Sequence, residues 1–202
     1  MNRIVTVFVL LLSLAVCALA LDKSKWNVGV TAGLNIANVK ASGTPGVSYS
    51  SVTKFAFGGA LNYKIDDDMS VRTDLIYIGK GAKLSAQGST GDEAKIANLA
   101  IAPFLVYNLA GDPKDIQWFA QGGLEMDLNM SSDWKSGGTI ANYNSTEFDL
   151  NIGFGARIAA AKGYWVPNLR YSLGLTNTTS TSGVTSKNNG VQLMVAYLFN
   201  RK

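Results

Sequence analysis

The sequence predicts an all-β fold: an eight-stranded antiparallel up-and-down β-barrel that spans a membrane. Hydrophobic residues make up 47% of the 202 residues and charged residues only 16%. Even so, no apolar run beyond the N-terminus reaches the roughly 20 residues that a membrane-spanning helix needs. Instead, apolar residues occupy alternate positions along eight segments, the pattern of strands whose two faces meet different surroundings. The connections between these segments alternate between long and short, as in an up-and-down barrel.

The last segment, residues 190–199, shows the alternation most clearly. Its sequence is GVQLMVAYLF, in which every second residue from Val191 is a large apolar or aromatic residue. Two aromatic residues, Tyr197 and Phe199, take the last outward positions. A terminal strand of this kind resembles the assembly signal of bacterial outer-membrane barrels. We therefore expect Tyr197 and Phe199 to be recognised by the barrel assembly machinery during insertion.

Seven earlier segments show the same period of two. They are predicted at residues 26–36, 54–65, 69–81, 96–109, 116–130, 147–160 and 165–175. Long polar connections are expected at 37–51, around 87–93, at 131–145 and at 176–189, and short turns at 66–68, 111–115 and 162–163. In outer-membrane barrels the long connections lie outside the cell and the short ones in the periplasm. An even number of strands places both termini on the periplasmic side.

The charges indicate which face of each strand meets lipid. One face carries Leu, Val, Phe, Tyr and Trp with almost no charge, whereas the other carries most of the strand charges. A charged residue facing lipid near the membrane midplane costs about 2–4 kcal/mol, so the charged face is predicted to line the lumen. A soluble barrel such as a lipocalin would have the reverse pattern. The predicted inward charges are Lys54, Lys64, Arg72, Asp74, Lys80, Glu125, Asp127, Glu147, Asp149, Arg157 and Arg170.

These inward charges predict a network of ion pairs across the lumen. The interior of an eight-stranded barrel is just wide enough for side chains to fill it, and buried charges need partners. Cations and anions are nearly balanced in the set. The best candidates for the network are Glu125, Asp127, Asp149, Arg157 and Arg170 on neighbouring segments, with Arg72 and Asp74 across the barrel. A plugged, stabilising interior is the favoured interpretation, and a selectivity lining or gate is the alternative.

The N-terminus has the features of a secretory signal peptide. Arg3 supplies a positive charge, residues 4–16 are apolar, and Ala18 and Ala20 form a small-x-small cleavage site. Residues 1–20 are therefore expected to be removed, which leaves a barrel domain at 21–202. An alternative is lipidation of Cys17, although Val16 directly before it is unfavourable for a lipoprotein signal.

The composition argues against catalysis and against cofactors. The sequence contains no histidine, so the usual general base of barrel lipases and acyltransferases is missing. Cys17 is the single cysteine and lies in the predicted signal peptide, so the processed chain has no thiol for a disulfide or a metal site. We expect no enzyme activity, no cofactor and no metal site. The net charge is only +4, and the Lys and Arg residues form no clustered tract, so nucleic-acid binding is not expected.

Five stretches of the chain resemble the PorT-type outer-membrane β-barrel family, which is common in Bacteroidetes. They read VGVTAGLNIAN, SVRTDLIYIGKGAKL, NLAIAPFLVYNL, NLRYSLGLTNTT and NNGVQLMVAYLF. The resemblance implies an eight-stranded barrel in the outer membrane. Proline would otherwise indicate an edge or a bulge, but a proline recurs at the position of Pro103 in the family, so the resemblance implies that Pro103 lies within a strand. The chain departs from the family pattern at Asp74, where Glu is expected, and in the three residues after Phe199. The family implies a fold and a location but only a loose function.

Two functions remain open at the level of sequence. The first is a membrane scaffold or interaction protein, whose Ser-, Thr-, Gly- and Asn-rich loops could bind a protein or a surface ligand. The second is a narrow porin-like channel for small solutes or ions. In either case we expect a monomer in the lipid of the outer membrane.

Overall fold

The computed structural model of the protein describes residues 23–86 and 91–200. A short 3-10 helix, Lys23–Lys25, precedes the strands of this described part. The strands there are β1 (Trp26–Ser42), β2 (Val47–Ser50), β3 (Val52–Lys64), β4 (Met69–Lys80), β5 (Lys83–Ala86), β6 (Asp92–Gly111), β7 (Ile116–Trp134), β8 (Thr146–Ala160), β9 (Gly163–Gly174) and β10 (Thr185–Phe199). The predicted signal peptide at residues 1–20, including Cys17, lies outside the described residues.

Eight of these strands form a closed antiparallel ring in the order β6, β4, β3, β1, β10, β9, β8 and β7, and β7 pairs with β6 to complete it. Closure pairs both sides of every ring strand, so no sheet edge is left to face lipid. The prediction of an all-β antiparallel barrel is confirmed. The prediction of eight strands in total is not, because the described part of the chain has ten.

The two additional strands, β2 and β5, lie outside the ring. They pair with each other, and β5 also pairs with the beginning of β6. The strand β2 falls in the loop predicted at 37–51, and β5 falls between the strand predicted at 69–81 and the loop predicted around 87–93. Each has only four residues, and such a short segment has too few positions to show a face that packs against a core.

Several ring strands extend beyond their predicted bounds at the end where the long connections lie. The strand β1 continues to Ser42 rather than residue 36, β6 begins at Asp92 rather than 96, and β10 begins at Thr185 rather than 190. Apart from Val39, these extensions contain only alanine and polar residues. Where both faces can meet water, alternation of apolar and polar residues is not required, so the sequence pattern does not detect the pairing. We call this end of the barrel the loop end, and the end with the short connections the turn end.

The ring has an apolar outer surface and a largely polar interior. Phe55 is 75% exposed on the outside, whereas Asp74 and Arg170 on the inside are 0% exposed. The lumen also holds apolar side chains that charge alone did not predict. One group near the turn end includes Phe104, Phe119 and Leu198. A second group in the middle includes Ile76, Ile78 and Met194. The interior is therefore packed with both kinds of side chain.

Proline 103 sits within β6 without ending the strand. It is opposite Thr73 of β4, and the register between β6 and β7 is the same before it, at Ile101 opposite Met126, and after it, at Phe104 opposite Gly123. Pro103 thus removes a backbone donor without shifting the ladder.

Aromatic side chains cluster on the outer surface at the turn end. The ring centroids of Trp26 and Tyr63 are 4.8 Å apart, as are those of Trp165 and Tyr197, and Tyr197 lies 5.0 Å from Phe199. Aromatic belts of this kind are typical of the boundary between hydrocarbon and water. None of the helices in the described residues is long or apolar enough to cross a membrane.

Candidate functional site in the barrel lumen

The first of two charged layers in the lumen is centred on Lys80. This side chain comes from the end of β4 nearest the loops, and its Nζ donates to three carboxylates at once. The distances are 2.9 Å to Glu125 Oε1, 2.6 Å to Asp127 Oδ2 and 2.5 Å to Asp149 Oδ2. An ammonium has three donors, so these contacts use all of them. We call Lys80, Glu125, Asp127, Asp149 and the adjacent Glu147 the lysine layer.

Strand register brings the four acids together. Residues two apart on a strand point to the same face, which places Glu125 with Asp127 on β7, and Glu147 with Asp149 on β8. Glu125 is directly opposite Asp149, and Asp127 is directly opposite Glu147. Like charges opposite each other destabilise a strand pair. The ammonium of Lys80 offsets part of that repulsion, but the layer has four acids and only one cation.

Neutral side chains from β8, β9 and β10 complete the lysine layer. The Glu125 carboxylate accepts from Asn151 Nδ2 at 3.0 Å and from Gln192 Nε2 at 3.4 Å. Ser172 Oγ donates to Asp149 Oδ2 at 3.0 Å. These donors come from β8, β9 and β10, so the layer connects one wall of the barrel to the other.

The second charged layer, the arginine layer, consists of Arg72, Asp74 and Arg170 and lies nearer the turn end. Arg72 holds Asp74 with two parallel hydrogen bonds, Nε to Oδ1 at 2.8 Å and Nη2 to Oδ2 at 3.0 Å. Arg170 Nη2 donates to the same Asp74 Oδ2. Bidentate arginine–carboxylate pairs are among the stronger charge-assisted contacts in proteins. All three residues are at most 1% exposed.

Arg170 is fixed by two further contacts. Its Nε donates to Asn168 Oδ1 at 2.7 Å, and its guanidinium lies 4.4 Å from the centroid of the Phe104 ring. A guanidinium over an aromatic face is attracted by the ring quadrupole. The side chain is therefore held across the lumen rather than along its wall.

The structure brings together six of the seven network residues proposed from the sequence, in these two layers. Arg157 lies apart from them: its guanidinium is over the ring of Tyr164, 5.7 Å from the centroid, and no ion pair joins it to another described residue. The physical reason is axial distance, because Arg157 is eight residues further along β8 than Asp149, towards the turn end.

Sequence reasoning left Lys80 and Glu147 out of the network, although it placed both on the inward face. Lys80 is the centre of the lysine layer. The signal in the sequence is that Lys80 lies an even number of residues from Arg72 and Asp74 on β4, and therefore faces the lumen with them. Two other inward charges have different surroundings. Lys54 pairs with Glu93 near the loop end, and Lys64 pairs with Asp67 at an exposed turn.

Among the groups outside the membrane-spanning segments, Asp67 and Tyr143 have shifted pKa values. A hydrogen bond from Lys64, and then the charge of Lys64, hold the pKa of Asp67 below its ordinary value. Burial, and then the negative charge of Glu147, raise the pKa of the Tyr143 hydroxyl far above its ordinary value. Tyr143 Oη accepts from Asn188 Nδ2 at 3.0 Å, so a neutral tyrosine from the loop between β7 and β8 covers the lysine layer.

Three acids of the lysine layer are close enough together to contact a single cation, and in the structure that cation is the ammonium of Lys80. Glu125, Asp127 and Asp149 each offer a carboxylate oxygen, and these oxygens lie within 4.8 Å of one another. Oxygen-only donor sets suit hard cations such as Ca²⁺.

Comparison with solved structures finds barrels of the same architecture. Neisserial surface protein A superposes with a TM-score of 0.55 at 15% identity, over 86% of this chain and 97% of that chain. The outer membrane protein OprG from Pseudomonas aeruginosa superposes with a TM-score of 0.51 at 12% identity, over 87% and 95%. At these identities the likeness shows the fold alone. A comparison with curated proteins finds no match.

The family assignment comes from the sequence profile. The profile of the outer membrane protein beta-barrel domain matches residues 19–180, which is most of the chain. The match agrees with the closed ring, the apolar outer surface and the charged lumen described above. The chain belongs to the outer membrane protein beta-barrel domain family, and it is an outer-membrane β-barrel protein.

Proposed function

We propose that the protein is a non-enzymatic outer-membrane barrel with a plugged lumen, which acts as a membrane scaffold or interaction protein through its polar loops. The observation that carries this proposal is the contact between Arg170 and Asp74. Their strands, β9 and β4, are separated by three strands in either direction around the ring. An ion pair between them therefore crosses the full width of the lumen.

The packing around this contact supports a closed interior. Phe104, opposite Arg72, belongs with Phe119 to a buried apolar cluster beside the arginine layer, and the lysine layer lies on the loop side. Because the charged side chains of the two layers contact one another across the lumen, a hydrated ion crossing it would have to break several charge-assisted contacts. The side chains of an eight-stranded ring are sufficient to fill it.

The loop end is the surface that this proposal assigns to binding. There β2, β5 and the extensions of the ring strands form a polar rim that continues beyond the apolar outer surface. In an outer-membrane barrel the long connections face outwards. A protein or surface ligand outside the cell would meet these residues, while Tyr197 and Phe199 on the terminal strand would serve recognition by the assembly machinery.

A narrow porin-like channel is the second candidate. The observation that favours it is the axial separation of charge: the lysine layer has excess negative charge, whereas the arginine layer and Arg157 have excess positive charge. A pore with such a lining would discriminate between ions by sign. PorT-type membership, an origin in Bacteroidetes, export by a cleaved signal peptide and a monomeric state also stay proposals from the sequence.

Osmotic swelling of proteoliposomes tests the plugged lumen. We expect vesicles containing the folded protein to swell in arabinose no faster than empty vesicles, while vesicles containing a general porin swell rapidly. Heat-dependent gel mobility of the same sample establishes that the barrel is folded. Swelling at a rate proportional to the amount of folded protein would refute the proposal in favour of the channel.

A further inference from the structure

The outer wall formed by β1 and β10 changes from apolar to polar in regular steps towards the loop end. The two strands are adjacent, and their register is continuous from Val28 to Ser42. Residues at every second position share a face, and on the outer face Val30 is 59% exposed. The last four outward pairs, taken towards the loops, are Ile36–Val191, Asn38–Asn189, Lys40–Lys187 and Ser42–Thr185. The wall thus carries an apolar pair, an amide pair, an ammonium pair and a hydroxyl pair in that order.

The ammonium pair has no counter-charge in the protein. Lys40 and Lys187 are directly opposite each other, and Lys40 is exposed while Lys187 is partly exposed. Neither forms an ion pair with another described residue. Like charges directly opposite each other destabilise a strand pair. The arrangement therefore favours an anion that lies between the two side chains.

The other lysines near the loop end have acids beside them. Lys54 and Lys135 both pair with Glu93. Two further lysines lie directly opposite acids in the strand register, as the pairs Lys83–Glu93 and Lys95–Asp133. These residues belong to β3, β5, β6, β7 and the connection after β7. Among the described residues, the lack of an acid beside lysine at this end is therefore a property of the β1–β10 wall.

Strand geometry gives the height of the ammonium pair above the apolar surface. Lys40 is four residues beyond Ile36, which is the last large apolar residue at an outward position of β1. Four residues span about 13 Å along a strand, or about 10 Å along the membrane normal at a tilt of roughly 40°. The headgroup layer is roughly 5–8 Å thick, and a lysine stem can follow an apolar surface while its ammonium remains in a polar layer. Both ammonium groups can therefore reach lipid headgroups.

We propose that Lys40 and Lys187 form a binding site for the phosphate group of a glycolipid of the lipid A type in the outer leaflet of the outer membrane. The loop end faces outwards in outer-membrane barrels, and the outer leaflet there contains phosphorylated glycolipid. The phosphate supplies the missing counter-charge. The site rests on this orientation, and it does not depend on whether the lumen conducts.

The order of the outward pairs fits the order of groups in such a lipid. Its acyl chains would lie along the apolar wall below Ile36 and Val191, and its sugar would meet the hydroxyls of Ser42 and Thr185. The Cβ atoms of directly opposite residues are about 4.5–5.5 Å apart, so two lysines at these positions can contact one phosphate. Lysine is a common phosphate ligand in proteins. A free anion would use only the ammonium pair, whereas the lipid uses the whole wall.

Native mass spectrometry of the folded protein in a neutral detergent, titrated with lipid A, tests the site. The double change Lys40→Gln with Lys187→Gln should weaken binding about 30-fold, because each lysine near an anionic lipid surface contributes roughly fivefold. Lys40→Arg with Lys187→Arg retains both charges and should bind lipid A like the unmodified protein. Lipid A without its phosphates should bind the unmodified protein as weakly as phosphorylated lipid A binds the double glutamine variant.

The matched control removes the same charge at the other end of the barrel. Lys114 and Lys162 are exposed at the turn end, and Lys114→Gln with Lys162→Gln should leave binding unchanged. Heat-dependent gel mobility establishes that each variant is folded.

Three outcomes would overturn the proposal. The first is an equal loss of binding in the two double glutamine variants, because the effect would then come from net charge alone. The second is equally tight binding of lipid A without phosphates, because the acyl chains and sugar would then account for it. The third is displacement of lipid A by a large excess of inorganic phosphate, which would assign the lysines to the free anion instead of the lipid.

Discussion

Arg170 on β9 and Asp74 on β4 form an ion pair across the full diameter of the barrel, although they lie 96 positions apart in the sequence. Asp74 also accepts two hydrogen bonds from Arg72 on its own strand. One carboxylate therefore serves two guanidinium groups, and all three side chains are buried. This arrangement makes Asp74 the residue on which the arginine layer depends.

Replacing Asp74 by Asn should strongly destabilise the barrel. The change leaves Arg72 and Arg170 buried without a counter-charge, and breaking a buried pair in this way costs about 3–5 kcal/mol. Glu93→Gln is the matched control, because its partner Lys54 is partly exposed and such pairs contribute about 0–1 kcal/mol. The free energy of unfolding can be measured by urea titration in lipid vesicles with tryptophan fluorescence. Equal effects of the two changes would show that the arginine layer does not stabilise the fold.

The assignment of the outer surface to lipid predicts a dependence on depth. Leu193 is in the middle of β10 and 48% exposed on the outside, so Leu193→Arg should cost about 2–4 kcal/mol in a bilayer. Ile116 begins β7 at the turn end, where Ile116→Arg should cost about 0–1 kcal/mol. The same unfolding titration measures both. If the two arginines cost the same, the middle of β10 is not at the membrane midplane.

The orientation of the barrel predicts which residues can be labelled from outside the cell. Ser182 lies in the connection between β9 and β10, and Lys114 lies in the turn between β6 and β7; both are exposed. In a Cys17→Ser background, a membrane-impermeant maleimide should label Ser182→Cys on intact cells. It should label Lys114→Cys only after the outer membrane is permeabilised. The opposite result would invert the barrel.

The turn between β3 and β4 predicts a measurable shift in acidity. Lys64 Nζ is 2.6 Å from Asp67 Oδ1, and its hydrogen bond and charge lower the pKa of Asp67 from the ordinary 3.8. The folded state thus favours the ionised acid. The contribution to stability is present above about pH 3.8 and is lost as the pH falls through the lowered pKa. Carboxyl carbon NMR should show the pKa returning to its ordinary value in Lys64→Gln and unchanged in Lys114→Gln. A pKa of Asp67 that does not respond to Lys64→Gln would contradict the assignment.

The fold could be predicted from the sequence because a membrane imposes a strict rule on each strand. Outward residues must be apolar and charges must face inwards, so alternation along β1, β8 and β10 indicates both the strands and their faces. The extensions at the loop end and the short strands β2 and β5 could not be predicted, because water accepts polar residues on both faces there.

The composition of the lumen could be predicted, but its pairing could only be seen in three dimensions. Parity along each strand indicated that Arg72, Asp74 and Asp149 face inwards. It did not indicate the height at which each side chain lies, because stagger between strands depends on turns and register. For that reason the sequence pattern groups Arg157 with acids that it does not reach, and it does not indicate that Lys80 is the centre of a layer.

Single-channel conductance in a planar bilayer tests the plugged lumen most directly. The folded protein, verified by heat-dependent gel mobility, should give no reproducible current steps, and Asp149→Ala and Arg157→Ala should leave that silence unchanged or add irregular leakage. Reproducible steps in the unmodified protein, with a size or ion preference that shifts in Asp149→Ala or Arg157→Ala, would contradict the account and make the charged lumen a working pore.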